Sequence, residues 1–283
     1  LEINDVNVRT YVDWAKFSLQ RIKREEEASA QPSPQPLGLN NSDRHRFPAP
    51  GVSRVKRSMA MLKAIEAYAE NQRDRLVEYL GKELQWAQLP QEIQRTFQTL
   101  STATNSSARE PALKIIRALT ELLERAEVGG PSDYPKQAQA VLEKLRPKLT
   151  LYREDVIAVL ERPELILQYD ETMLLDRQLI ANALEYTKWC KQEAIPDDDD
   201  EALMFRLFEL KNGFIVKSHK SNGEGETGQY RLVIVDEVQD FSPVELSTVI
   251  GAVDEVSHLT LVGDSAQEIS HETTFPGWEK KKK

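Results

Sequence analysis

Residues 231–240 read Arg-Leu-Val-Ile-Val-Asp-Glu-Val-Gln-Asp, and residues 259–267 read Leu-Thr-Leu-Val-Gly-Asp-Ser-Ala-Gln. The apolar run Leu232–Val235 stops abruptly at two adjacent carboxylates, Asp236 and Glu237. A short apolar run bounded by polar residues reads as a strand buried on both faces, as in parallel sheets. Between the two runs, Ser242-Pro243-Val244-Glu245 forms a capping box with proline at the first helical position. Val244, Leu246, Val249, Ile250 and Val253 supply an apolar face for packing on a sheet, weakened slightly by Gly251. Leu259–Val262 is the second strand, and it ends in Gly263-Asp264. Strand, helix and strand in this order make one parallel crossover. Ligands of open α/β sheets bind beyond the carboxyl ends of the strands. Two acids at such an end suit nucleotide chemistry: one holds a hydrated Mg²⁺, the other orients or deprotonates the attacking water.

These residues resemble motif II (Asp236-Glu237-Val238-Gln239-Asp240, the Walker B site) and motif III (Leu259–Gln267) of UvrD/Rep-type superfamily 1 helicases. Asp240-Phe241-Ser242-Pro243 and Phe275-Pro276-Gly277-Trp278-Glu279 are similar to the HelD-like branch, ATPases that act on RNA polymerase. Val6–Ala15 resembles the strand and Thr-Phe-x-x-Trp-Ala turn found early in the family's first motor domain, with Thr10, Tyr11 and Trp14 at the matching positions. The motif matches cover about residues 5–15 and 231–279.

The resemblance implies an α/β plus all-α protein: a partial RecA-like parallel sheet of the P-loop NTPase type carrying a large α-helical insertion. It implies ATP and Mg²⁺ as cofactors. Asp236 would hold the metal through water and Glu237 would activate the hydrolytic water. Gln239 and Asp240 would tie the site to neighbouring motifs. Gln267 would sense the γ-phosphate, supported by Gly263 and Asp264. Val238 departs from the Ala or Phe of many relatives and is expected to face the core. No Gly-x-x-x-x-Gly-Lys-[Ser/Thr] loop occurs; the single Gly-Lys pair, Gly81-Lys82, is followed by Glu83 in a helical pattern. Without that loop there is no cradle of backbone N–H groups for the phosphates. The expectation is a fragment of a larger motor, with the Walker A region and second motor domain in the remainder of the polypeptide, and no ATP hydrolysis by the fragment alone.

At 283 residues the chain has room for two domains. The sequence divides into residues 1–19 and 201–283 as the two parts of the motor domain, 20–51 as a linker rich in Glu, Pro and Asn, and 52–200 as a helical arm. Within the arm, spacing predicts a long amphipathic helix from Val52 to about Leu89 through Leu62, Ile65, Ala69, Leu76, Leu80 and Leu84. Helices are also expected over 91–100, from Glu110 to Gly129, over 133–145, over 150–161 and over 163–194. There is no internal repeat.

Charge and the remaining motifs narrow the function less. A net charge of −9 is unusual for a chain that wraps nucleic acid. Thr10 and Tyr11 of the early turn are counted among the nucleic-acid candidates. The local basic candidate is Arg44-His45-Arg46 with Arg54, Lys56 and Arg57, readable as phosphate contacts or as a solvated helix start. Asp197–Glu201, five acids in a row, reads as a phosphate mimic or as a helix N-terminus favoured by the macrodipole. It lacks the spaced ligands and central Gly of an EF-hand. Trp14 and Trp278 stack bases or pack the core in alternative readings. One cysteine, Cys190, excludes an intramolecular disulfide and is expected to be buried in a helix. With no apolar run near the length of a membrane span and no signal peptide, a cytoplasmic chain is expected. Three classes remain open: a DNA-translocating helicase, an ATPase that remodels RNA polymerase through its arm, and a non-catalytic protein-interaction module.

Overall fold

The computed structural model describes residues 10–15 without 12, 51–83, 91–102, 153–212, and 230–264 without 254. The expected strand near 6–10, the linker, the helices from Glu110 to Gly129 and over 133–145, and Arg44, Arg46, Gln267 and Trp278 lie outside these residues. The chain separates into two compact units. One contains the described residues up to Ala64, residues 153–206 and residues 230–264; the other contains 65–83, 91–102 and 207–212. Residues 153–200, which composition groups with the arm, thus share a unit with the strands.

The first unit opens its helical part at Gly51, whose φ of +88° places it in the left-handed region. A Cβ there would lie 2.6 Å from Leu179 Cδ2, so both backbone and space require glycine. Helix α1 (Val52–Lys56) follows and stops short of Ser58. Ser58 explains the break: its hydroxyl accepts from the Met61 amide at 3.0 Å and caps α2 (Met59–Glu83). The single long helix expected from Val52 is thus two, because a local cap outweighs apolar spacing. Helix α3 (Gln91–Thr102) coincides with its expected segment and continues two residues farther.

A second long helix is divided in the same way. Helix α4 (Arg153–Leu160) is followed by α5 (Pro163–Leu167) and α6 (Arg177–Gln192), rather than by one helix over 163–194. Asp170 terminates α5: Oδ1 accepts from the Thr172 amide and hydroxyl, and Oδ2 from the Leu175 amide. Asp176 then caps α6 by accepting from the Leu179 amide at 2.7 Å. Val52 and Val55 of α1, Val156 and Val159 of α4, Ile166 of α5, and Ile180, Ala183 and Cys190 of α6 are buried where these helices pack together. Each large aliphatic side chain buried this way contributes roughly 1.5–3 kcal/mol. Cys190 is buried in α6, as its position predicts, and burial raises its thiol pKa.

The acids of Asp197–Glu201 begin helix α7 (Asp198–Asn212), where Asp197 Oδ1 accepts from the Asp199 amide. Strand β1 (Val233–Val235) pairs in parallel with β2 (Leu259–Leu261), with Val233 opposite Leu259 and Val235 opposite Leu261. Helix α8 (Pro243–Gly251) makes the crossover, and both reciprocal bonds of its Ser242/Glu245 capping box are formed. Val235, Val238, Leu246 and Val249 form its core, with Tyr11, Trp14 and Phe241 packed against them.

One expectation fails here. Val233 and Val235 face that core, but Ile234 is 65% and Leu232 62% exposed. Among the described residues, strand β1 is therefore covered on one face and open on the other. The apolar run encodes a strand, whereas coverage depends on what else lies against it.

In the second unit, Ile65, Tyr68, Ala69 and Leu80 of α2 and Leu207 and Phe208 of α7 are buried.

Candidate nucleotide site at the end of strand β1

Strand β1 delivers Asp236 and Glu237 to its carboxyl end, and both are exposed. Asp236 Oδ1 accepts from the Glu237 amide at 3.0 Å. The chain then turns sharply. Glu237 adopts φ 52° and ψ 42°, a left-handed conformation uncommon for a residue with a Cβ. A 3₁₀ turn over Val238–Asp240 follows, its Asp240 amide donating to the Glu237 carbonyl. Val238 is fully buried and faces the core, as expected for this departure from the family pattern.

Gln239 joins the two strand ends. Its side chain is buried; Nε2 donates to Glu237 Oε2 at 2.5 Å and Oε1 accepts from the Asp264 amide at 3.1 Å. The backbone repeats the connection, with the Val262 amide donating to the Val235 carbonyl and the Val238 amide to the Val262 carbonyl. Gly263 lies inside this crossing. A Cβ there would sit 2.4 Å from Gln239 Oε1 and 2.9 Å from Val238 Cγ1. The structure thus brings together Asp236, Glu237, Gln239, Gly263 and Asp264.

Lys56 on α1 and Arg57 just after it are engaged within the fold. Lys56 is 1% exposed, and its ammonium lies 2.5 Å from Asp197 Oδ2 and 2.6 Å from Asp200 Oδ1. Burial alone would lower its pKa, but Asp200 and Asp197 hold it above the usual lysine value. Arg153 Nε lies 3.2 Å from the other oxygen of Asp200. Burial raises the Asp200 carboxyl and moves that of Asp199 up to about 6, tempered at Asp199 by the Ser53 hydroxyl donating at 2.7 Å. Arg57 donates to the Asp240 carbonyl and to Glu245. Neither Lys56 nor Arg57 is a solvent-facing phosphate contact. The basic and acidic strings neutralise one another although Lys56 and Asp197 stand 141 positions apart in the chain.

Arg54 is partly exposed on α1. Thr10 is exposed and its hydroxyl donates to Asp13. Tyr11 is half-buried: its ring packs on Trp14 and Phe241, and its hydroxyl lies 3.1 Å from that of Thr248 on α8. Trp14 packs edge-on against Phe205 and donates to the Tyr230 hydroxyl at 3.2 Å, which is the core-packing alternative. Tyr11 and Trp14 therefore serve the fold around the crossover. The role of Glu245 as a partner of Arg57 is invisible to local reading, which reveals only its capping.

An exposed carboxylate with hard oxygen donors suits a hydrated divalent cation contacted through water. Among the described residues no group of three or more His, Cys, Asp or Glu side chains is arranged to hold a metal directly. A parallel crossover whose first strand ends in two acids places them where open α/β sheets bind their ligands. An AAA domain profile matches residues 117–273, more than half of the chain, which therefore belongs to that family of P-loop NTPase-like domains found in UvrD/Rep-type helicases. Comparison with characterised proteins and with solved structures finds no match. Among the described residues no helix is long and apolar enough to cross a membrane.

Proposed function

We propose that this chain is part of the first motor domain of a superfamily 1 helicase-like ATPase of the UvrD/Rep type, in its HelD-like branch. The observation that carries the reading is the exposed Asp236–Glu237 pair at the end of β1, tied through Gln239 to the Gly263-Asp264 end of β2. In this reading ATP and Mg²⁺ bind beyond the strand ends, and the metal supplies charge neutralisation for the phosphates. Asp236 contacts it through water, and Glu237 accepts a proton from the attacking water. Gln239 holds the Glu237 carboxylate in place, and Gln267 senses the γ-phosphate. The phosphate cradle comes from outside these 283 residues, because the sequence contains no phosphate loop.

For the arm, a protein partner such as RNA polymerase is favoured over duplex DNA. The net charge is −9, and Lys56 and Arg57 are engaged within the fold, so fewer cations remain to neutralise phosphates.

Substitution tests the chemistry. In the ATP-hydrolysing protein that contains this chain, Glu237→Gln lowers kcat by at least about a hundredfold while nucleotide binding is kept. Retained turnover overturns the assignment. Capture of RNA polymerase by the chain, set against a duplex titration across salt, tests the partner. Salt-sensitive duplex binding without polymerase capture overturns the HelD-like reading.

A further inference from the structure

The guanidinium of Arg57 reaches the loop that follows the acidic pair. Its Nη2 donates to the Asp240 carbonyl at 2.8 Å and to Glu245 Oε2 at 3.1 Å. Its Nη1 faces Asp199 Oδ1 at 3.6 Å. Glu245 Oε2 also accepts from the Ser242 amide at 2.7 Å, closing the cap of α8. One side chain on the segment between α1 and α2 thus holds both the end of the 238–240 turn and the start of the crossover helix.

The opposite side of that turn is held separately, by the Val238 amide on the Val262 carbonyl and by Gln239 on Asp264. Between these fixings sits Glu237, in a left-handed conformation that persists only when its surroundings over-determine it. Releasing either side lets the backbone relax and turns the carboxylate away. The planar fork of arginine fixes donor directions that a lysine ammonium does not reproduce.

We propose that Arg57 is a positioning residue for Glu237, which it orients through the Asp240 carbonyl and the Glu245 carboxylate. This rests on the proposed role of Glu237 and adds the residue that positions it.

Hydrogen exchange on the 283-residue chain tests the geometry without nucleotide. In Arg57→Gln the Asp240 and Phe241 amides exchange about tenfold faster, those of α4 and α6 are unchanged, and Arg57→Lys is intermediate. Unchanged exchange over 238–241 overturns the proposal, as does an equal rise throughout α4 and α6, the mark of a merely structural role. If Arg57→Gln does not fold, Arg57→Lys decides by the same outcomes. In the hydrolysing protein, Arg57→Lys lowers kcat and leaves KM for ATP unchanged; an unaltered kcat overturns the proposal. A wild-type protein without turnover overturns the reading of Glu237 first, and that failure is visible before any variant is made.

Discussion

Two acidic segments of this molecule meet opposite fates. Asp236 and Glu237 stand exposed at a strand end, where Asp236 accepts from a neighbouring amide and Glu237 from Gln239. Asp197, Asp199 and Asp200 are drawn against Lys56, Arg57, Arg153 and Ser53, with Asp200 fully buried. A buried carboxylate must be paired or suffer a large desolvation penalty, whereas an exposed one keeps its water and stays available to a cation. The run that looks more extreme in sequence is therefore the structural one, and the modest pair is the accessible one.

The sharpest way to break this contrast is to remove one partner from each segment. Lys56→Met leaves Asp197 and Asp200 without their ammonium, and urea unfolding should register a loss of about 3–5 kcal/mol. Asp236→Asn should stay within about 0.5 kcal/mol of the parent. Equal losses would erase the distinction between the two segments.

Acidity offers the next probe. The Asp199 carboxyl stands at about 6 in the folded chain against 3.8 as its ordinary value. The folded state therefore binds this proton more tightly, and the contribution of Asp199 to stability falls as pH rises from about 4 to 6. The expected change is on the order of 2–3 kcal/mol, and Asp199→Asn should take that share out of the slope in a pH series of unfolding midpoints, leaving the share of Asp200, whose carboxyl burial also raises. A slope undiminished by the substitution would assign this share to another group.

The smallest effect concerns the strand-end site. Gly263→Ala forces a methyl group against Gln239 and Val238, so a loss of about 1–3 kcal/mol is expected. Exchange at the Asp264 amide, the donor to Gln239, should rise with it. An unperturbed Asp264 amide would mean that the close approach is not what holds the two strand ends together.

Much of the crossover was legible because its signals are local. Ser242-Pro243-Val244-Glu245 encodes its own cap, and the apolar runs at 232–235 and 259–262 encode their strands. Val238 and Cys190 were readable as buried from their apolar character and position. Helix breaks were read less well. Ser58, Asp170 and Asp176 end or begin helices through hydrogen bonds of one side chain each, which apolar spacing overlooks. The open face of β1 was not legible at all, since Ile234 has the same character whether a partner covers it or not.

By itself the sequence determined the order of strand, capped helix and strand, and the placing of two carboxylates where the first strand stops. Those features depend on neighbours a few residues away. Only the tertiary structure decided that Lys56 and Arg57 serve the fold, that Gln239 bridges the strand ends, and that Glu245 has a second partner. Each of those outcomes depends on long-range proximity, and a charge shows no sign in sequence of which distant charge will neutralise it.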